Sequence, residues 1–305
     1  MIKHYIRIAR PDHWFKNIFM LPGIIMGLYY TDFSLKLTSV YIIVSGIFAT
    51  CLIASANYVI NEWLDMDFDK FHPIKKNRSS LKAELKPGII YSEYILLAFT
   101  GLLISYFISI EFLLTELIFL VMGFLYNVPP FRTKDKTYLD VLSESLNNPI
   151  RFVLGWLLMG ITISPPSSIL IAYWMGGAFL MATKRFAEYR FISDPELAGK
   201  YRRSFKYYTE EKLLISTFFY ALCSSFFLAI FLVKHRIELL ISFPFIAMLF
   251  TWYLHLGFEK ESIVQTPEKL YLKKGFVLYT LFLFILMIAL LKIDIPELHW
   301  FIKNY

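Results

Sequence analysis

The chain carries its apolar residues in long unbroken blocks, and these decide most of what it can become. One block, LTSVYIIVSGIFATCLIASANYVI at residues 37–60, contains no charged residue. Runs of about 18 or more apolar residues are membrane-helix candidates, because a helix satisfies its own backbone polar groups inside lipid. The pattern recurs along the 305 residues and predicts spans at 18–31, 38–60, 89–109, 112–128, 138–162, 166–187, 213–233, 238–257 and 275–292. Composition agrees: 57% of the residues are hydrophobic, against about 45–50% in a soluble domain. The expectation is an all-α integral membrane protein with about nine transmembrane helices. No linker or internal repeat divides residues 1–305, which read as a single transmembrane domain. The basic N-terminus MIKHYIRIARPDHWFKN lacks a small-residue cleavage site and reads as retained. Cys51 and Cys223 both fall inside apolar runs, so they supply neither a disulfide framework nor metal-site spacing.

Charge sets an expected orientation. With nine spans and an inner N-terminus, segments 1–17, 61–88, 129–137, 184–212 and 258–274 hold 25 Lys and Arg, and the outer segments hold 5. Positive residues concentrate on the cytoplasmic side of membrane proteins. The N-terminus and the polar loops are therefore expected in the cytoplasm, in keeping with a bacterial inner membrane. The net charge of +7 needs no nucleic acid to explain it. A basic cytoplasmic face suits anionic lipids and phosphorylated substrates.

The stretch NEWLDMDFDKFHPIKKNRSS follows the second span directly. Asn61, Asp65 and Asp69 are spaced four apart, and Glu62 stands three before Asp65. On a helix continuing past the membrane these groups share one face, and their like charges repel. A divalent cation relieves that repulsion. Carboxylate oxygens suit Mg²⁺, which commonly bridges one or two carboxylates to substrate phosphates. Lys75, Lys76 and Arg78 follow closely and can hold the remaining phosphate oxygens. A solvated charged loop explains the same spacing without any ligand, and spacing does not decide between the two.

The fifth span, YLDVLSESLNNPIRFVLGWLLMG, carries a polar stripe of Asp140, Glu144, Asn147 or Asn148, and Arg151. Arg151 lies about 16 Å along the helix from Asp140 at 1.5 Å per residue, within a hydrocarbon core about 30 Å thick. An ionisable group at that depth faces either a partner or a wet cavity. Lys184, Arg185 and Glu188 end the sixth span, and Arg202 and Tyr208 lie in the loop beyond it. Lys16 and Asn17 precede the first span. The sequence contains no phosphate-binding glycine loop, no Ser-His-Asp pattern and no paired-histidine spacing.

NEWLDMDFD resembles the NDxxDxxxD signature of the UbiA superfamily of intramembrane prenyltransferases through Asn61, Asp65 and Asp69, with Glu62 where Asp is usual. Other segments resemble the decaprenyl-phosphate phosphoribosyltransferase branch. RPDHWFKN is similar to its RPxQWxKN opening, and HPIKKNRSS to its HPxKxxRP segment, with Ser79 in place of Pro. Asp140 and Arg151 match its LDV…RxxxG helix; Lys184, Arg185 and Glu188 match its KRxxE motif; Arg202 and Tyr208 match its RxxLxxY segment. The second Asp-rich motif of aromatic prenyltransferases is missing, with only Glu188 and Asp194 near its place.

The resemblance implies a UbiA-type bundle with a cytoplasm-facing active-site cavity. It implies transfer of 5-phosphoribose from phosphoribosyl diphosphate to a polyprenyl phosphate, with release of diphosphate. Asp65, Asp69 and Asn61 are then the catalytic residues, and these three with Glu62 hold Mg²⁺. Lys75, Arg78, Lys184 and Arg185 take donor phosphates. Asp140 and Glu144 take the ribose or help place the metal. Lys16, Asn17 or Arg151 holds the lipid phosphate. Glu188, Arg202 and Tyr208 complete the substrate site. Two alternatives remain: transfer of a prenyl chain from its diphosphate to an aromatic or other acceptor, and a non-enzymatic lipid or solute transporter with a polar vestibule.

Overall fold

The computed structural model describes residues 2–31, 37–72 and 85–299. Every regular element among them is helical. The α-helices are α1 (Ile2–Ile8), α2 (Leu21–Tyr30), α3 (Leu37–Asp69), α4 (Pro87–Ile108), α5 (Ile110–Asn127), α6 (Leu139–Ser145), α7 (Asn147–Leu157), α8 (Ser167–Ile192), α9 (Pro195–Tyr201), α10 (Glu210–His235), α11 (Phe243–Gly257) and α12 (Lys274–Lys292). Among the described residues six stretches are long and apolar enough to cross a membrane: α3, α4, α5, α10, Ile237–Gly257 and α12.

Of the other three predicted spans, two are interrupted, and each interruption has a proline at its root. Residues 18–31 divide between a 3₁₀ helix, Pro11–Met20, and α2. Pro22 has no N–H to offer the Ile18 carbonyl, and the Leu21 N–H takes that carbonyl instead. Residues 138–162 divide into α6 and α7 around Leu146, whose own dihedrals stay helical. Pro149 withholds the bond that the Ser145 carbonyl would receive in a continuous helix. The third span, expected over 166–187, is the continuous helix α8 from Ser167 onward.

Two compact units are formed, Met1–Ser164 with Ile192–Thr209, and Pro165–Phe191 with Glu210–Tyr305. In the first, α3 is the longest element. Its 33 residues make about 50 Å at 1.5 Å per residue, more than the ~30 Å of hydrocarbon. Its acidic end therefore projects beyond the apolar layer while remaining helical. On its flanks α4 approaches through Gly101, which faces Ile53, and α5 through Gly123, which faces the Asn57 amide. Met20, Ile24, Ala49, Phe112, Leu154 and Leu158 form a buried cluster where α2, α3, α5 and α7 meet.

The closest approach is between α2 and α7. A methyl group on Gly23 would stand 2.0 Å from the Phe152 carbonyl oxygen, and one on Gly155 would stand 2.1 Å from that of Met20. Small residues that let backbones touch are a common way for membrane helices to associate. Here they fix where Arg151, one turn before Gly155, meets the first helices of the chain.

In the second unit α8 is the buried centre. Ala172, Ala178, Phe179, Ala182, Phe186 and Ala187 are all nearly inaccessible. Phe179 stacks on Phe250 of α11 with ring centres 4.5 Å apart, and Ser224 of α10 donates to the Ala172 carbonyl at 2.9 Å. The segment after α11 is anchored by Lys273, whose ammonium lies 2.7 and 2.8 Å from the two Glu259 oxygens.

Gly23→Ala and Gly155→Ala are each expected to destabilise the protein by about 3 kcal/mol, the upper end for overpacking, because the obstruction is backbone. Gly88→Ala, which meets nothing within 4 Å, should leave stability unchanged or slightly raised. Thermal unfolding in one detergent compares all three.

Candidate active site

The acidic end of α3 meets the eleven-residue connection between α5 and α6. Asp65 receives the Arg132 guanidinium at 2.9 Å and the Lys134 ammonium at 2.5 Å. Both cations are anchored from behind. Lys134 donates to the Asn127 side-chain oxygen at 2.8 Å, and Arg132 donates to the Asn127 carbonyl at 3.1 Å and to Asp135 at 3.1 Å. Asn61 donates to the same Asn127 oxygen at 2.6 Å. One amide thus links Asn61 of α3 to the cation paired with Asp65. Lys134 is buried; burial draws its ammonium down to about 8, Arg132 adds to this, and Asp65 opposes both.

This connection holds an unusual backbone. Arg132 and Tyr138 have φ of 28° and 64°, in the left-handed region that costs a non-glycine residue of order 1–3 kcal/mol. Side chains on both sides hold it there. The Tyr138 N–H donates to the Tyr208 hydroxyl at 2.7 Å, and that hydroxyl donates to Asp140 at 2.8 Å. Ser204 donates to the other Asp140 oxygen at 3.1 Å. Asp140 is fully buried, and its two oxygens fasten the 203–208 loop to the start of α6.

Asp65 and Asp69 line one cavity of about 20 Å³ with Phe68, Arg132, Lys134 and Arg202. That is room for about one water molecule. Among the described residues no three His, Cys, Asp or Glu side chains converge as a ready-made metal site. Two carboxylates on a shared cavity still fit Mg²⁺ in its usual mode, where substrate phosphates and water supply the other oxygens. Glu62 and Asp69 are buried on the same helix.

A second group of residues from the sequence analysis gathers deeper. Arg151 donates to the Asn17 side-chain oxygen at 2.8 Å, and Asn17 donates to the Cys51 sulfur at 3.1 Å. The Arg151 guanidinium also lies 4.7 Å from the Phe119 ring centre. Cys51 precedes Asp65 by fourteen residues, about 21 Å of helix. Arg151 and Asp65 therefore belong to separate levels. Lys16 lies between them, 5.4 Å from the Tyr58 ring centre. In the 3₁₀ helix, with three residues per turn, His13 and Lys16 follow Arg10 along one line. Arg10 lies 5.9 Å from the same ring centre, and His13 packs edge-on to it at 5.3 Å.

Glu144 is half-buried on α6, one turn after Asp140. Lys184, Arg185 and Glu188 lie in the second unit, where Arg185 and Glu188 form a buried pair at 2.8 Å. Arg202 approaches the Tyr126 hydroxyl at 3.5 Å. Lys75 and Arg78 lie outside the described residues. Sequence reading singled out neither Arg132, Lys134 nor Asn127, and counted the two cations only toward the positive loop charge. The available signal was NVPPFRTKDKT, with cations at alternate positions just before Asp140.

A family model described as the UbiA prenyltransferase family matches residues 19–286. The chain belongs to the UbiA prenyltransferase family. It is 26% identical over 219 residues to a decaprenyl-phosphate phosphoribosyltransferase of Mycolicibacterium smegmatis, covering 70% of this chain and 65% of that one. The protein of the same name from Mycobacterium tuberculosis is 24% identical, over 70% of this chain and 68% of that one. The structure of a UbiA homologue from Archaeoglobus fulgidus bound to DMAPP and Mg²⁺ superposes with a TM-score of 0.70 at 20% identity, covering 93% of this chain and 99% of that one. The same homologue bound to GPP and Mg²⁺ gives 0.69. The fold is thus that of the family, and the six apolar stretches make the chain an integral membrane protein.

Tyr208→Phe removes the hydroxyl that serves both Tyr138 and Asp140. It is expected to cost about 2 kcal/mol, the range for a hydrogen bond to a charged group. Amide exchange at Tyr138 should accelerate in the variant, measured beside thermal unfolding.

Proposed function

We propose that the chain transfers 5-phosphoribose from phosphoribosyl diphosphate to a polyprenyl phosphate in the membrane. The observation that carries this reading is the Asp65 constellation: one carboxylate held by Arg132 and Lys134, with Asp69 on the same cavity. Acids and bases interleaved on one small cavity suit a metal-bound diphosphate, whose charge needs both. The phosphoribosyl donor draws its support from the relatives named for that activity and from the missing second Asp-rich motif.

In this reading a lipid phosphate oxygen attacks the anomeric carbon of the donor. The bond from that carbon to the diphosphate oxygen breaks, and diphosphate leaves with the electron pair. Asp65 and Asp69, assisted by Asn61 and Glu62, hold Mg²⁺, which supplies counter-charge for the leaving diphosphate. Arg132 and Lys134 turn from Asp65 to the donor phosphates as these enter, so each cation exchanges one anionic partner for another. Lys75, Arg78, Lys184 and Arg185 are further phosphate ligands, and Glu188 orients Arg185. Arg202 lines the same cavity. Asp140 and Tyr208 position the connection that carries Arg132 and Lys134, and Glu144 takes a ribose hydroxyl.

Lys16 is the ligand for the lipid phosphate. It stands near Tyr58, seven residues or about 10 Å before Asp65. Asn17 and Arg151, deeper and bound to each other, fix the entry helix. The phosphate nucleophile is already ionised, so catalysis rests on placement and charge. The same reading has nine spans in one catalytic domain, an N-terminus in the cytoplasm and the cavity open to that side of a bacterial inner membrane.

A second reading, prenyl transfer from an allylic diphosphate, is favoured by one observation: the fold is shared with a homologue that binds DMAPP and GPP with Mg²⁺. Purified protein with labelled phosphoribosyl diphosphate, Mg²⁺ and polyprenyl phosphate separates the two. Labelled lipid is expected from the wild type. Asp65→Asn, Asp69→Asn and Lys134→Met should each lower the rate about 10²–10³-fold, the scale for losing one charge-stabilising group. Turnover of prenyl diphosphates alone would overturn the phosphoribosyl assignment.

A further inference from the structure

The span expected over 112–128 carries one charged residue, Glu116, and the proposed reaction does not use it. Glu116 stands six residues after Ile110 and eleven before Asn127 on α5, about 9 and 16 Å along the helix. It is fully buried. A carboxyl at that depth is costly and normally faces a partner. One of its oxygens meets the Thr50 hydroxyl of α3. The other, Oε2, is buried and accepts no hydrogen bond. A single hydroxyl leaves the carboxyl half-satisfied and its charge unanswered.

Contacts from two helices bring Arg151 to the same level. On α3, Thr50 precedes Cys51, the Cys51 sulfur accepts from Asn17, and Asn17 accepts from Arg151. On α5, Phe119 follows Glu116 by three residues, so the two share a face, and the Arg151 guanidinium lies 4.7 Å from the Phe119 ring centre. Arg151 is within electrostatic reach of Glu116, and both act on the Cys51 thiol. The hydrogen bonds of Arg151 go to the Asn17 amide and the Asn147 carbonyl, neither of them charged. Two buried charges of opposite sign therefore occupy one level of the first unit. We propose that Glu116 is the counter-ion of Arg151 and, through Arg151 and Asn17, positions the entry helix that presents Lys16. Glu116 is a positioning residue. With its charge answered by Glu116, Arg151 holds Asn17 and leaves the lipid phosphate to Lys16. The ion pair stands on the contacts above; its effect on Lys16 rests on the transferase reading.

The test is a double-mutant cycle read by thermal unfolding in one detergent. Glu116→Gln keeps the shape of the side chain and an oxygen for Thr50, and removes only the charge. Glu116→Gln and Arg151→Met should each lower the unfolding temperature, because each leaves the other charge buried and uncompensated. The double variant should lose clearly less than the two losses added together. Additive losses would overturn the ion pair. Where a single variant fails to fold, recovery of folded protein in the double variant supports the pair, and failure of the double variant as well overturns it. Binding then tests the positioning role. In Glu116→Gln, affinity for labelled polyprenyl phosphate should fall about tenfold, the scale for a residue that acts through others, and affinity for phosphoribosyl diphosphate should stay unchanged. Unchanged polyprenyl phosphate affinity, or an equal loss for both ligands, would overturn that role. Neither measurement needs turnover. Wild-type protein that binds no polyprenyl phosphate would overturn the transferase reading and leave the ion pair to be decided by the unfolding cycle.

Discussion

Hydrocarbon offers no hydrogen bonds, so every polar group carried into it must find a partner within the protein. The first unit meets that constraint with one helix. Down α3, polar residues recur about every turn, and each engages a different part of the chain. Thr50 meets Glu116 of α5, Cys51 meets Asn17, and Ser55 accepts from Trp14 at 2.8 Å. Asn57 donates to the Phe119 carbonyl at 3.1 Å, Asn61 to Asn127, and Asp65 pairs with Arg132 and Lys134. The neighbouring elements are thereby fixed in register by polar contacts as well as by apolar packing, which between lipid-embedded helices is weakly directional.

The same ladder separates two levels that the sequence could not. Both Cys51–Asn17–Arg151 and Asp65–Arg132–Lys134 join α3 to a cation. In the deep one Arg151 is held by an amide, a backbone carbonyl and an aromatic face. The shallow one pairs charge with charge, where entry of an anion can rearrange it. In the proposed reaction, ordering belongs to the first level and exchange of partners to the second.

Much of the fold was legible because lipid imposes a simple code of length and apolarity. The four-residue spacing of Asn61, Asp65 and Asp69 puts them on one face only if the second span, expected over 38–60, continues as a helix, and the structure has Leu37–Asp69 as one α-helix. The interruptions were harder. Pro22 and Pro149 are each compatible with a helix start or a kink, and only the neighbouring hydrogen bonds decide. The cations at Asp65 were illegible for another reason. Arg132 lies 67 residues from its partner, and a basic loop residue at a membrane face is expected whether or not it has work to do. Asp140 and Tyr208 were visible as polar residues, but that each spends itself on the other is a matter of three-dimensional placement.

The Asp65 pairing also bears on the interval between turnovers. A transferase at a membrane edge keeps strong acids and strong bases within reach of a low-dielectric layer at all times, and uncompensated charge there is costly. Arg132 and Lys134 compensate the Asp65 charge. The pairing also offers a stray divalent ion a carboxylate that is already engaged. In the proposed reaction, an anion arriving with its own cation would satisfy both sides of that pair at once.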